Sequence, residues 1–264
     1  MPSKATNSEP ITAASPQRNV IGPSWPPAPQ DLALRDGEIH VWCAAPAAFF
    51  PELDRFRSLI SQPELARAAR FHFPVHRDHY IIRHGILRLI LGRYLRQEPS
   101  RIEFGQGKFG KPTVKTDSSL HFNDSHSGDL ALFAFTKLGP IGVDIECVRP
   151  IPDFENIAAR YFCAREIALM RELSPDDKMT AFFSCWTGKE AYLKATGEGI
   201  GQGLDKVEIK LDENLRATAL HIPGDVHTHW TIGAFTPAPR YLGAVALVGE
   251  IPAISQWQFC ASSL

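Results

Sequence analysis

Ala68-Ala69-Arg70-Phe71-His72-Phe73 returns later in the chain as Ala158-Ala159-Arg160-Tyr161-Phe162-Cys163. Each copy stands ahead of a helically spaced stretch and then a run of short alternating segments, so the echo points to two similar α+β halves in one chain. The expected fold class is α+β, with an N-terminal half over residues 38–140, a C-terminal half over 141–264, and a disordered Pro/Ser-rich tail over 1–37. If the halves meet near residue 140, the cleft between them is the first place to expect a ligand.

Outward from the first copy, Ile39, Val41 and Cys43 alternate as in a strand. Tyr80, Ile81, His84, Leu87, Leu91 and Leu95 keep near-helical spacing, with Arg77, Arg83, Arg88 and Arg93 around the apolar stripe and Pro99 as its end. Short strands fit 101–104, 120–122, 130–136 and 141–147, each bounded by Gly, Pro, Asn or Asp. Around the second copy the spacing gives helices near 153–159, 164–173 and 176–196, then strands at 207–211, 228–235 and 241–248.

The tail holds Pro2, Pro10, Pro16, Pro23, Pro26, Pro27 and Pro29 with few large aliphatic residues, too little apolar surface to offset its ordering entropy. Elsewhere the composition is that of an ordinary globular protein, 44% hydrophobic and 22% charged over 264 residues. A net charge of -1 gives no global field toward nucleic acid or an anionic membrane, and neither partner is expected. Cys43, Cys147, Cys163, Cys185 and Cys260 form no CxxC pair, which argues against a disulfide framework or a zinc site and fits a reducing cytoplasm. No apolar run approaches the roughly 18 to 20 residues that span a bilayer, and no secretory leader pattern opens the chain.

Four constellations could carry chemistry. Gly105-Gln-Gly-Lys108-Phe-Gly110-Lys111-Pro112 satisfies GxGxxG and part of a phosphate-binding loop in letters, but those motifs open helices and Pro112 opens another extended segment. The segment reads as a hairpin loop whose glycines permit close backbone approach, with Lys108 or Lys111 placed to meet an anion. Ile141, Val143 and Ile145 share one strand face, which sets Asp144 and Glu146 side by side on the other. Such a pair is either a solvated edge or half of a Mg2+ site.

In Trp186-Thr-Gly-Lys189-Glu190-Ala-Tyr-Leu-Lys194, four-residue spacing puts Trp186, Glu190 and Lys194 on one helical face. Alone, that Glu-to-Lys pair is ordinary helix support. With the acidic pair upstream and the glycine run Gly197 to Gly203 behind it, it becomes a candidate catalytic seam under a loop. Phe122-Asn123-Asp124-Ser125-His126-Ser127 offers donors suited to phosphate oxygens, or a plain polar turn. It is not a Ser-His hydrolase pair, because neighbours on a strand point apart. His72, His76, His79, His84, His227 and His229 read as packing or surface residues, since Pro74 prevents one helix from presenting His72 with His76.

The ordered set Gly110-Lys111-Pro112, Phe122 to Ser127, Gly142-Val-Asp-Ile-Glu146 and Trp186 to Lys194 resembles the surfactin-type 4'-phosphopantetheinyl transferases over about residues 38 to 250. The resemblance implies two pseudo-symmetric halves with coenzyme A and Mg2+ in the cleft. It implies transfer of the phosphopantetheine arm to a serine of an apo acyl or peptidyl carrier protein, with release of adenosine 3',5'-bisphosphate. Asp144, Glu146 and Glu190 would hold Mg2+, Glu190 would act as general base, and Lys194 would meet the leaving phosphate. Ser125 and His126 match positions at the coenzyme A phosphates, and Gly110-Lys111-Pro112 the turn at adenine; Lys108 and Lys189 join the expected coenzyme A contacts. Arg70, Arg77 and Arg83 are candidates for the 3'-phosphate, since guanidinium forks bind phosphate well.

Asp124 departs from the family's usual apolar residue and is expected to point outward. The carrier is expected to dock on the stretch 161–180 and the glycine loop, with Arg165, Arg171 and Lys178 as docking charges, and the chain to act as a monomer. Two other readings share these residues. An idle coenzyme A or carrier-binding module is disfavoured by the intact carboxylates. A Mg2+-dependent phosphohydrolase would use water as nucleophile and release free phosphopantetheine.

Overall fold

In the computed structural model, which describes residues 25–197, 203–224, 228–251 and 253–260, one succession of elements occurs twice. The first run is strand β1 (Ile39–Ala44), helices α1 (Leu53–Leu59), α2 (Gln62–Ala68) and α3 (Pro74–Leu95), the short hairpin β2 (Phe104–Gln106)–β3 (Pro112–Val114), and the long hairpin β4 (His121–Ser127)–β5 (Leu130–Thr136). The second is β6 (Gly142–Cys147), α4 (Phe154–Tyr161), α5 (Ala164–Glu172), α6 (Pro175–Thr196), β7 (Glu208–Leu211)–β8 (Ala217–His221) and β9 (Trp230–Phe235)–β10 (Tyr241–Val248), after which comes β11 (Ile254–Gln258). The long helices α3 and α6 have 22 residues each and both start on a proline, whose fixed φ and missing N–H suit a first turn.

The hexapeptide echo is not where the halves correspond. Ala68-Ala69-Arg70 ends α2, directly before α3, whereas Ala158-Ala159-Arg160 lies within α4, with α5 still to come before the long helix. The correspondence runs through a buried carboxylate in the second short helix of each half. Glu64 of α2 closes a capping box with Ser61 and takes Arg88 of α3, with Nη2 2.6 Å from Oε2. Arg88 Nη1 then donates to the carbonyls of Pro99 and Ile102. Glu166 of α5 likewise accepts from the Cys163 amide and pairs with Lys189 of α6 at 2.8 Å. Lys189 Nζ donates to the carbonyls of Tyr161, Leu204 and Val207. In each half a basic side chain of the long helix therefore donates to carbonyls just ahead of the short hairpin, tying that segment to the helix.

Two sheets form the centre, ordered β11-β1-β5-β4 and β6-β10-β9. Ile39, Val41, Cys43, Leu130, Leu132 and Ala134 of the first pack against Ile141, Val143, Ile145, Val245 and Leu247 of the second. The outer face of the first sheet, with Trp42, Phe133 and Phe135, is covered by Ile82, Ile86 and Ile90 of α3. The outer face of the second, with Ala244 and Ala246, lies under Ala181, Cys185 and Ala191 of α6. Layers on both sides explain why β5 reads Leu-Ala-Leu-Phe-Ala-Phe-Thr, apolar without alternation. At Gly142 the packing is backbone on backbone: a Cβ there would collide with the carbonyl oxygen of Ala191 and the amide nitrogen of Ala195.

Part of the expected tail is ordered, which corrects the boundary at residue 37. Trp25 is buried against Phe235, the Gln258 amide donates to the Pro26 carbonyl, and Leu34 joins the core. One large aromatic supplies the burial that the proline-rich composition otherwise lacks. Residues 1–24, the loop residues 198–202 and His227 lie outside the described residues. Among the described residues no helix is long and apolar enough to cross a membrane.

Candidate active site

The site forms where the edge strands β4 and β6 of the two sheets meet. Alternate residues of β4 point toward β6 and stitch the seam. Asn123 Oδ1 accepts from the Val143 amide (2.9 Å), Ser125 Oγ donates to Asp144 Oδ1 (2.8 Å), and Ser127 Oγ donates to Glu146 Oε2 (2.7 Å) while accepting from the Cys147 amide. The period of two that sets Asp144 and Glu146 on one face of β6 also sets these three residues on one face of β4. Asn123 and Ser127, which the sequence offers as part of a phosphate-donor stretch, instead bind β4 to β6.

From α6, Lys194 Nζ donates to Asp144 Oδ1 (2.7 Å), to Ser125 Oγ (2.7 Å) and to the Val143 carbonyl (3.2 Å). Glu190 lies one turn earlier on the same helix, facing the same seam. Burial raises the Asp144 carboxyl, and the Lys194 ammonium offsets part of the rise. Burial, and after it the negative charge of Asp144, pushes Glu190 up to about 7. Asp144 Oδ2 and Glu190 Oε1 are buried without a hydrogen-bond partner.

Buried carboxylate oxygens without donors are costly, and a hard cation is the group that satisfies them. Among the described residues no group of three or more His, Cys, Asp or Glu side chains is arranged to hold a metal ion by itself. Glu146 is engaged by Ser127 and, at 3.4 Å, by Arg149. An open pair of carboxylates with a third beside it suits Mg2+, which keeps several waters and takes phosphate oxygens.

The remaining expected residues separate clearly. Arg83 is half-buried with an unpartnered Nε, and its charge acts on Asp124 and His126. Loss of hydration and the Arg83 charge push His126 down to about 4, so its ring is neutral near pH 7. Arg77 pairs with Asp78 at 2.7 Å, and Arg70 is exposed after α2. Asp124, expected to point outward, is half-buried, and its charge acts on Arg83 and His126.

Lys189 is a correction: it is fully buried in its pair with Glu166, because the residue before Glu190 faces about 100° around the helix from it. Trp186 packs among Tyr161, Phe162 and Phe182. Gly110 (φ 80°) and Pro112 are exposed in the β2–β3 hairpin, which confirms that no helix follows the glycine-rich loop. The side chain of Lys108 lies outside the described residues. Lys111 turns its amino group inward, to the carbonyls of Ile141, Lys194 and Ala195.

A family model described as the 4'-phosphopantetheinyl transferase superfamily matches residues 140–246, which include Asp144, Glu146, Glu190 and Lys194. The 4'-phosphopantetheinyl transferase HetI of a Nostoc species is 40% identical over 229 residues, 86% of this chain and 94% of that protein. The chain belongs to the 4'-phosphopantetheinyl transferase superfamily. The phosphopantetheinyl transferase psf-1 of Bacillus pumilus is 32% identical over 74% of this chain and 81% of its own. The transferase Sfp of Bacillus subtilis is 29% identical over 74% of this chain and 84% of its own. Membership makes this α+β protein an enzyme of the phosphopantetheinyl transferase class, and the carboxylates at the seam of β4, β6 and α6 lie within the matched span.

Proposed function

We propose that this phosphopantetheinyl transferase moves the 4'-phosphopantetheine arm of coenzyme A to a serine hydroxyl of an apo acyl or peptidyl carrier protein, with Mg2+ held by Asp144, Glu190 and Glu146. The observation that supports it most is the pair of unpartnered buried carboxylate oxygens on Asp144 and Glu190, beside a Lys194 ammonium that a serine and an aspartate hold in place. Mg2+ bound there would neutralise the pyrophosphate of coenzyme A and stabilise the charge on its leaving half.

The protein's own groups supply the rest. Glu190 takes the proton of the incoming serine hydroxyl. The serine oxygen bonds to the phosphorus that carries pantetheine, and the bond from that phosphorus to the adenosine-side phosphate breaks, releasing adenosine 3',5'-bisphosphate. Lys194 meets the charge that builds on the departing oxygen. Neutral His126 and the Arg83 guanidinium line the opposite side of β4 as phosphate donors, and the backbone around Gly110 and Pro112 supports adenine.

The halves 38–140 and 141–264 enclose the cleft, with β11 returning to the sheet of β1. Because the second half supplies the first with its partner, the chain acts as a monomer. The surface near Arg165, Arg171 and Lys178 receives the carrier in the cytoplasm.

Intact-mass spectrometry of apo acyl and apo peptidyl carrier proteins, each incubated with this protein, coenzyme A and Mg2+, tests the reading. The expected result is a gain of one phosphopantetheine on a carrier, abolished by EDTA. Free phosphopantetheine with no gain on either carrier would mean a hydrolase instead.

A further inference from the structure

Lys111 sits in the N-terminal half, yet its ammonium reaches the end of α6 in the other half. Nζ donates to the carbonyl oxygens of Ile141 (2.6 Å), Lys194 (2.6 Å) and Ala195 (3.3 Å). An ammonium has three protons, and in the free protein three main-chain carbonyls occupy those of Lys111. Two of those acceptors belong to the last turn of a 22-residue helix, whose carbonyls carry the negative end of its dipole and have no partners within the helix. The third precedes β6, the strand that bears Asp144.

The contact between α6 and β6 makes such a clamp consequential. Gly142 leaves no side chain between strand and helix, so the backbones of β6 and α6 lie in direct contact there. Glu190 and Lys194 project from this same helical end, and Lys194 must meet Asp144 and Ser125 at hydrogen-bond distance.

We infer that Lys111 is a positioning residue: it pins the last turn of α6 to the entry of β6 and so sets Lys194 and Glu190 against Asp144, rather than contacting coenzyme A. The inference rests on the proposed transfer reaction only for its kinetic consequence; the clamp itself is a property of the free protein.

Lys111→Met and Lys111→Arg test it by three measurements. Hydrogen exchange of the free protein should rise at least tenfold at the amides of residues 193–197 in Lys111→Met. Calorimetric coenzyme A affinity should stay within about twofold of the wild type. Turnover should fall at least tenfold with little change in KM for coenzyme A, and Lys111→Arg, which keeps the charge, should recover part of it. A tenfold loss of coenzyme A affinity with unchanged exchange and turnover would overturn the inference and restore Lys111 as a ligand contact. If the wild type transfers nothing to either carrier, the proposed function fails, and exchange and calorimetry still decide the clamp.

Discussion

Glu190→Gln should make the metal-free protein more stable and less active. The fold holds the Glu190 carboxyl at about 7 against 4.5 for an unperturbed group. Between those values the native state binds more protons than the unfolded chain, so native stability falls as pH rises through that window and the loss is complete above it. At about 1.4 kcal/mol per tenfold change in proton affinity, the ionised carboxylate costs roughly 3 kcal/mol at pH 8, reduced to about 2 kcal/mol by its partial exposure. Glutamine keeps the shape and removes the charge. For a chain of this size, about 2 kcal/mol is a rise of about 4 to 8 °C in Tm. At pH 5, where nearly all native but only about a quarter of unfolded side chains are protonated, the gain should shrink to about a quarter of that. Mg2+ should raise the wild-type Tm and narrow the gap, because it binds the ionised carboxylates of the native state. Thermal unfolding of both proteins at pH 5 and 8, with Mg2+ or EDTA, measures all of this. A variant no more stable than the wild type at pH 8, or equally stabilised at both pH values, would refute the account of Glu190 as a buried, charge-strained group. Its turnover should drop on the order of a hundredfold or more as a lost general base; a near-wild-type rate would remove Glu190 from the mechanism.

Four further substitutions probe three separate parts of the molecule. Gly142→Ala drives a methyl into the backbone of α6 and should cost about 3 kcal/mol in urea unfolding; a loss below about 1 kcal/mol would mean that helix and strand can separate freely. Lys189→Met leaves Glu166 buried without its cation and should cost about 3 to 5 kcal/mol. Intact stability with coenzyme A affinity weakened tenfold would instead return Lys189 to the ligand set. Arg83→Gln should weaken coenzyme A binding more than tenfold by calorimetry and Arg77→Gln less than twofold; the reverse order would exchange their roles.

Elements with strong internal signals were legible in the sequence. The strands expected at 130–136 and 241–248 are β5 and β10, and the helix expected at 176–196 is α6 but for one residue. The Asp144/Glu146 pair and the Glu190/Lys194 seam were legible for the same reason, because strand and helix periods fix which side chains share a face. Contacts set by distant partners were not. β11, with Ser255, Gln256 and Gln258, has no apolar alternation and is a strand because β1 pairs with it. The six-letter match that suggests a duplication is not aligned by the fold, while the true correspondence, Glu64 with Arg88 and Glu166 with Lys189, pairs different cations and looks like ordinary charge. Lys111 and Lys189 carry the residue type of a phosphate ligand, but spacing alone does not show that each amino group turns to buried carbonyls.

The parallel pairing of β1 with β11, from Ile39 opposite Ile254 to Cys43 opposite Gln258, has a consequence for synthesis. On the ribosome β1 emerges well before its neighbour, so the first sheet spends most of translation with an open, hydrogen-bonding edge, the surface that invites strand exchange with other nascent chains. A premature stop ahead of residue 254 would spare every residue of the candidate site and still leave that edge uncovered. Such a product should collect in aggregates rather than as a weakly active enzyme.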